Sequence, residues 1–377
     1  MANFGYDVEC LPISDESSVE YGLKYANNEV CYPATLVVGD FIKALTEGAY
    51  EPNNVALAMT QTGGQCRASN YLPLIKRALI DAGFSNTPVI SISFGSGLQN
   101  YQPGFSVNWL KSIPAIVHTI LFSDLIAKMY YAAATREISK GKALQLKNKY
   151  LHEGGILLRK GKWRNLLSLT SEAANEFNEL CSDKICMKVG VVGEIYLKFN
   201  PFSHKNVIEW LMEQGVEIVP PIMLDFFAQF FVNRKTKKQS FIAKDNIPDF
   251  VYDILYAQLK RLMRKYEDSA ATFRYFTPFS DIFDEAKEVS DIINLNTQFG
   301  EGWLLPAEIA TYYRNGVKNV ISLQPFGCIA NHIIERGIEK KLKKMFPQLN
   351  LLSLDFDSGV SDVNVINRLL LFVDNLK

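Results

Sequence analysis

Three of the six cysteines share a sequence context that suits metal binding. Cys31 directly precedes a predicted helix whose first turn carries Pro33, a residue favoured early in helices. Cys66 and Cys328 each follow a predicted strand and a glycine-containing turn, and each leads into a predicted helix. Ligands bind at this edge of open α/β sheets, and helix N-termini favour negative charge. We therefore expect all three thiols where a thiolate is stabilised.

The spacing of these cysteines excludes the compact zinc and ferredoxin motifs. Intervals of 35 and 262 residues separate them, so they would have to converge from both halves of the chain in a cleft. Three thiolates suit a soft site such as an iron–sulfur cluster, with one iron left open for chemistry. The alternative is that these are incidental small residues in glycine-rich loops, and the residues alone leave both interpretations open.

The other three cysteines, Cys10, Cys181 and Cys186, fit an ordinary structural role better. In a reducing compartment all six are expected to be thiols or metal ligands rather than disulfides.

Three further side chains are candidates for catalysis. Glu194 follows the predicted strand Met187–Val192 and is expected to face the cleft, where it could move protons or hold a ligand, although it could equally cap the next helix. His204 is a possible proton donor, and Gln324 is a possible cleft contact beside the third cysteine loop. Lone histidines are more often structural.

Residues next to the cysteines are candidates for cofactor binding. Gly63, Gly64 and Gly327 would allow the backbone to approach an inorganic cluster closely. Arg67, directly after Cys66, could offset the charge of a cluster or simply face solvent. Glu301, between two glycines, would be presented on a tight turn.

Strand and helix patterns alternate over most of the chain, which indicates parallel βαβ units with right-handed crossovers. From about Val107 to Leu180 the strand signal disappears and amphipathic helical patterns replace it. We predict an α/β domain over 1–106, a helical bridge over 107–185 and a second α/β domain over 186–377. The first domain is expected to lack its first strand–helix unit. The predicted strands are Tyr6–Pro12, Asn54–Thr60, Pro88–Phe94, Met187–Val192, Val216–Val219, Asn319–Leu323 and Asn350–Asp355.

The composition limits the possible partners. Forty basic and forty acidic residues give a net charge of zero, which disfavours nucleic acid and anionic membranes as partners. The longest apolar stretch, Ser112–Ser123, is too short to cross a bilayer, and the N-terminus lacks a signal-peptide pattern, so a soluble cytoplasmic protein is predicted.

The basic stretch Asn233–Asp245 is interpreted as a solvated loop. The cluster Lys340–Lys344 is a possible site for an acidic partner or a CoA phosphate.

Several segments resemble the iron–sulfur subunits of the 2-hydroxyacyl-CoA dehydratase family, which is related to the double-cubane-cluster reductases. The resemblance spans nearly the whole chain and is closest to the dehydratase-like module of large proteins that also carry an ATPase activator. The segments are VCYPATLVVGDFI, TQTGGQCRASNY, VGVVGEIYLKFNPFSHKNVIEWL, GEGWLLPAEI, LQPFGCIANHI and LDFDSGVSDVNVINRL.

The resemblance implies two Rossmann-like α/β domains with a cluster in the cleft, either [4Fe-4S] or double-cubane. The matching ligand positions are Cys31, Cys66 and Cys328. It further implies an ATP-dependent iron–sulfur activator, separate or fused, and a homologous subunit or a second copy as partner. The implied reaction is radical dehydration of a 2-hydroxyacyl-CoA through a ketyl radical of the thioester. A reductase of small molecules and a non-catalytic electron-transfer or scaffold subunit are the alternatives.

Overall fold

Two parallel β-sheets form the framework of this chain in a computed structural model, which describes residues 5–27, 29–48, 50–61, 66–93, 102–244 and 246–376. The strands are β1 Leu57–Gln61, β2 Val89–Ser93, β3 Lys188–Gly193, β4 Glu217–Val219, β5 Asn319–Pro325 and β6 Asn350–Phe356. The helices are α1 Glu16–Tyr25, α2 Tyr32–Glu47, α3 Tyr71–Asp81, α4 Trp109–Ala134, α5 Lys142–Arg159, α6 Leu166–Leu180, α7 Ile195–Phe199, α8 Val207–Glu213, α9 Met223–Gln239, α10 Asp249–Ala270, α11 Ile282–Val289, α12 Leu304–Arg314, α13 Arg336–Met345 and α14 Asp362–Asp374.

The mixed α/β class is confirmed, with one small and one larger sheet. The first sheet pairs β1 with β2, and the second has the order β4-β3-β5-β6, with every pair parallel. Six of the seven predicted strands are confirmed within a few residues. The predicted strand Tyr6–Pro12 is wrong, because this segment is irregular and its side chains are mostly solvent-exposed, with Val8 at 46%.

Helices cover both faces of the larger sheet. Because side chains alternate along a strand, Val189 and Val191 of β3 face one hydrophobic cluster and Val192 faces another. Gly190 makes room for the ring of Tyr312, since a Cβ at this glycine would lie 2.3 Å from the ring. A strand buried on both faces is typical of parallel sheets and explains why β3 is a continuous apolar run.

Helix α2 packs against both sheets. Tyr32 and Leu36 belong to the cluster on the larger sheet, whereas Ala34, Val38 and Ile42 belong to the cluster on the smaller one. The N-terminal end of α2, where Cys31 stands, therefore lies where the two sheets approach each other.

Helix α4 extends well beyond the apolar stretch Ser112–Ser123, whose length was the reason for expecting no membrane span. It continues past Asp124 because that carboxylate is buried and accepts hydrogen bonds from the backbone amides of Met223 and Leu224 at 3.0 Å each. In the described part of the chain, this helix of 26 residues is long and apolar enough to cross a membrane by length and composition alone. Such a helix is weak evidence for a membrane span, because core helices pass the same test.

The basic stretch Asn233–Asp245 is not a loop throughout, because α9 continues to Gln239. Lysine and arginine are good helix formers, and Asp249 at the start of α10 pairs with Arg234 at 2.9 Å and with Lys238 at 2.7 Å. The interpretation as a solvated loop is therefore wrong up to Gln239.

The close crossing of α1 and α2 gives a test of this packing. A Cβ at Gly39 would lie 1.7 Å from the backbone oxygen of Ser18, so Gly39→Ala forces the two helices apart. We expect the free energy of unfolding to fall by about 1–3 kcal/mol in urea denaturation. The matched control is Gly155→Ala in α5, where the nearest atom is 4.0 Å from the added Cβ and a gain of about 0.5–1 kcal/mol is expected. Equal stabilities for the two variants would contradict the close crossing.

Candidate functional site

Three cysteines from distant parts of the chain border one cavity. Cys31, Cys66 and Cys328 each occupy the residue immediately before a helical segment, and all three line the same cavity of about 450 Å³. Cys66 follows β1 and leads through a 3₁₀ turn into α3, while Cys328 follows β5 and leads through a π-helical stretch into α13. All six cysteines of the chain are free thiols.

Arg67 and Gly327 bind the three cysteine loops to one another. The guanidinium of Arg67 donates to the backbone oxygens of Glu29, at 3.0 Å, and of Val30. Gly327 has a φ of +78°, and a Cβ there would lie 3.0 Å from the guanidinium and 3.1 Å from the Val30 oxygen. Val30, Arg67 and Gly327, which neighbour Cys31, Cys66 and Cys328, thus each contact another cysteine loop. A side chain at position 327 would meet the guanidinium and the Val30 oxygen, which explains why a glycine precedes Cys328.

The thiols of Cys31 and Cys328 are in mainly neutral surroundings. The sulfur of Cys31 lies 3.0 Å from the hydroxyl of Tyr71, and the thiol of Cys328 donates to the side-chain oxygen of Asn331 at 3.3 Å. Burial raises the pKa of Cys31 and raises that of Cys328 well above its usual value. The expectation that helix N-termini stabilise these two thiolates is wrong for the protein without bound metal, because the loss of hydration outweighs the helix dipole.

Two glutamates at the carboxyl end of β3 line the cavity beside the cysteines, since a Cβ at Gly300, next to Glu301, would lie 3.8 Å from the Cys66 sulfur. Glu194 lines the cavity and also caps α7, since its carboxylate accepts from the Leu197 amide at 3.0 Å. Glu301 lines it too and accepts from the Ile195 amide at 2.7 Å. Burial, and to a lesser extent the neighbouring Glu301 carboxylate, raises the pKa of Glu194 to about 8. At neutral pH this pair can therefore hold a proton next to the cavity.

The cavity walls are mostly apolar. Arg67 provides a cation and Asp40 a third carboxyl group among the lining residues. Burial raises the pKa of Asp40. The volume of the cavity lies within the range of about 300–1,000 Å³ that small-molecule sites occupy. The apolar residues that line it are Leu11, Pro33, Val37, Phe41, Ala58, Met59, Ala68, Ile195, Phe226, Phe299, Pro325, Ile329 and Ala330.

Two predicted catalytic residues do not line this cavity. His204 is buried elsewhere, with a ring nitrogen accepting from the Val207 amide at 3.1 Å. Gln324 is fully buried, and its oxygen accepts from Arg336 at 3.0 Å. Gly63 and Gly64 lie outside the described residues. Lys340–Lys344 occupy the C-terminal half of α13, which ends just before β6 begins, so they lie toward the opposite edge of the sheet from Cys328.

Sequence reasoning missed two residues that matter at the cavity. Tyr71 opens α3 one turn beyond Cys66, but only the packing of α2 on α3 brings it to Cys31. Lys198 is four residues after Glu194, the spacing that places two side chains on one side of a helix, and that signal was available.

The donor set is three thiols, the ligand type that iron–sulfur clusters use. In the described ranges no group of three or more His, Cys, Asp or Glu side chains lies close enough to hold one ion. In a cluster each thiolate binds a different iron, so its ligands surround an inorganic core and do not meet at one point. Three thiols around one cavity match that requirement, and metal binding would replace their protons.

Comparison with known proteins adds no relative. The chain matches no family model, no curated protein and no solved structure.

The burial of His204 predicts a pH effect on stability. Burial lowers the pKa of His204 to about 4, below its usual value of 6.5, so between these values the unfolded chain binds a proton that the folded chain does not. This group therefore destabilises the fold as pH falls from 6.5, by about 2 kcal/mol at pH 5. His204→Asn should remove that part of the difference in unfolding free energy between pH 7 and pH 5. His152→Asn, at an exposed position on α5, should leave it in place. An unchanged pH dependence in His204→Asn would contradict the assignment.

Proposed function

We propose that this chain is a cytoplasmic iron–sulfur component similar to the subunits of 2-hydroxyacyl-CoA dehydratases. The observation that carries the proposal is that Cys31, Cys66 and Cys328, which match the ligand positions of that family, border one cavity between two parallel sheets. We also propose that these sheets belong to two Rossmann-like domains.

The side chains around the cavity have distinct roles in this proposal. The three cysteines would hold the cluster, which supplies one-electron chemistry when bound. The apolar walls exclude water from the space beside it. Glu194 and Glu301 hold a proton in the same lining as the thiols, available to a ligand in the cavity.

The partners follow from the family resemblance. An ATP-dependent iron–sulfur activator, separate or fused, would deliver the electron, and a homologous subunit or a second copy would complete the assembly. The cluster would be a [4Fe-4S] or a double-cubane cluster. A cavity of about 450 Å³ leaves room for a small ligand and so supports a catalytic role over a scaffold role.

Anaerobic reconstitution tests the ligand set. We expect wild-type protein to take up iron and sulfide and to show the EPR signal of a reduced cluster. Cys31→Ala, Cys66→Ala and Cys328→Ala should each lose most of the iron, because each removes a thiolate ligand. The measurements are iron and sulfide analysis and EPR.

Two controls match the environments of these cysteines. Cys186→Ala changes a buried thiol and Cys10→Ala an exposed one, both away from the cavity, and both should keep wild-type iron content. Full iron retention in any of the three cavity variants would refute the assignment.

The charge of the cavity makes a prediction about the substrate. Three carboxyl groups, Asp40, Glu194 and Glu301, disfavour a free 2-hydroxy acid, whereas its CoA thioester presents a neutral acyl group. We expect calorimetry to show the thioester binding at least about tenfold more tightly than the free acid, which corresponds to about 1.4 kcal/mol. Coenzyme A without an acyl group is the control, and it should bind more weakly than the thioester. Absence of thioester binding would favour a double-cubane-type reductase of small molecules.

A further inference from the structure

A second, more polar cavity lies on the other side of α7 and α12. Its volume is about 120 Å³, and its lining includes Asp225, Glu285 and Glu308 together with Lys128. Exposed residues such as Asn315 also line it, so it is in contact with solvent.

Ionisable side chains connect this second cavity to the cysteine cavity. The ammonium group of Lys198 lies 3.2 Å from the carboxylate of Glu308, and both side chains are at most 4% exposed. Lys198 also interacts electrostatically with Glu301, whose carboxylate lines the cysteine cavity, and with Asp225, which lines the second cavity. The groups thus follow one another from Asp225 and Glu285 through Glu308 and Lys198 to Glu301, with a direct contact between Lys198 and Glu308 and electrostatic interactions at the other links.

Carboxylates outnumber cations along this chain. Asp225, Glu285, Glu301 and Glu308 are each at most 6% exposed, and the lysines that interact electrostatically with them are the buried Lys198 and the half-buried Lys128. Unpaired charges cost too much to bury, so some of these carboxyl groups are protonated at neutral pH. Burial raises the pKa of Asp225 to about 8, raises those of Glu301 and Glu308, and raises that of Glu285 well above its usual value.

Two oxygen atoms in the chain point to mobile protons. One carboxyl oxygen of Glu285 and one of Glu308 are buried at the second cavity and have no hydrogen-bond partner among the described residues. No metal ion explains them, because no three donors in the described segments lie close enough to hold one. Burial without a partner favours the neutral, protonated form of a carboxyl group, so both glutamates are suited to carry a proton.

We propose that Asp225, Glu308, Lys198 and Glu301 form a proton-transfer chain that joins the second cavity to the cysteine cavity. Asp225 or Glu285 takes a proton from water in the second cavity. Lys198 donates a proton to Glu301 and takes one from Glu308, which is recharged in turn by Asp225. Each step breaks one N–H or O–H bond and forms another, with no electron transferred. Delivery of this proton to a reduced ligand in the cysteine cavity rests on the proposed function.

The chain is surrounded by further charged and titratable groups. Asp124 and Glu267 face Lys128, Asp281 faces Glu285, and Tyr312 faces Glu308. Burial raises the pKa of Asp124 to about 7, and its carboxylate accepts from two backbone amides, so it is a titratable neighbour of Lys128 and not a member of the chain.

Infrared spectroscopy of the metal-free, full chain tests the proposal. The C=O bands of protonated carboxyl groups are assigned to Glu301 and Asp225 by their loss in Glu301→Gln and Asp225→Asn. After a jump from pH 9 to pH 6, the Glu301 band should grow at least about tenfold more slowly in Glu308→Gln than in wild type, because the proton donor to Lys198 is lost. Lys198→Met should have the same effect and provides a second variant if the first does not fold.

The matched control is Glu335→Gln. Glu335 is a fully buried glutamate that accepts from Ser322 at 3.1 Å and from Ser353 at 3.3 Å, outside the chain. This variant should keep the wild-type rate. The proposal is overturned if Glu301 is protonated at the wild-type rate in a folded Glu308→Gln or Lys198→Met variant, or if no Glu301 acid band forms. Because no metal is present, these results are independent of whether the cysteines bind a cluster.

Discussion

The packing of α2 on both parallel sheets is the constraint on which the rest of the structure depends. One side of the helix contacts the larger sheet and the other contacts the smaller one, and Gly39 lets α1 pack against it without a gap. Because Cys31 precedes the first turn of α2, this packing fixes it opposite the loops that follow β1 and β5. A shift of α2 would therefore separate Cys31 from Cys66 and Cys328 before it changed either sheet.

The cavity combines two demands that oppose each other. Its mostly apolar walls limit the contact of the thiols with water, and the loss of hydration raises the pKa values of Cys31 and Cys328 and of the neighbouring Glu194 and Glu301. A neutral interior is the physical response when charges are buried without partners. Positive charge introduced among the thiols would reverse this balance, since it would stabilise thiolates and draw the nearby protons away. Binding at the cysteines and protonation of Glu194 and Glu301 are in this way linked.

Sequence patterns predicted the features that depend on neighbouring residues better than those that depend on residues far apart in the chain. The strands from β1 to β6 were predictable because a buried parallel strand leaves a continuous apolar run in the sequence. The segment Tyr6–Pro12 contains Asp7 and Glu9 and no continuous apolar run, and it pairs with no strand among the described residues, so it is irregular. The basic residues after Asn233 were interpreted by their charge, whereas their helix propensity and the ion pairs with Asp249 decided their structure. Local patterns predict an element only where long-range partners are available.

The sequence by itself determined that three cysteines stand immediately before helices, because turn residues, strand ends and helix starts are set by neighbouring residues. It also indicated that Glu194 stands at the end of a strand and that Glu301, between two glycines, lies on a tight turn. Only the tertiary structure decided that these five residues share one cavity, while His204 and Gln324 are buried elsewhere. The contact of Lys198 with Glu308 likewise joins residues 110 positions apart. Such proximity depends on how helices pack across a sheet, and side-chain packing over that range leaves no periodic signal in the sequence.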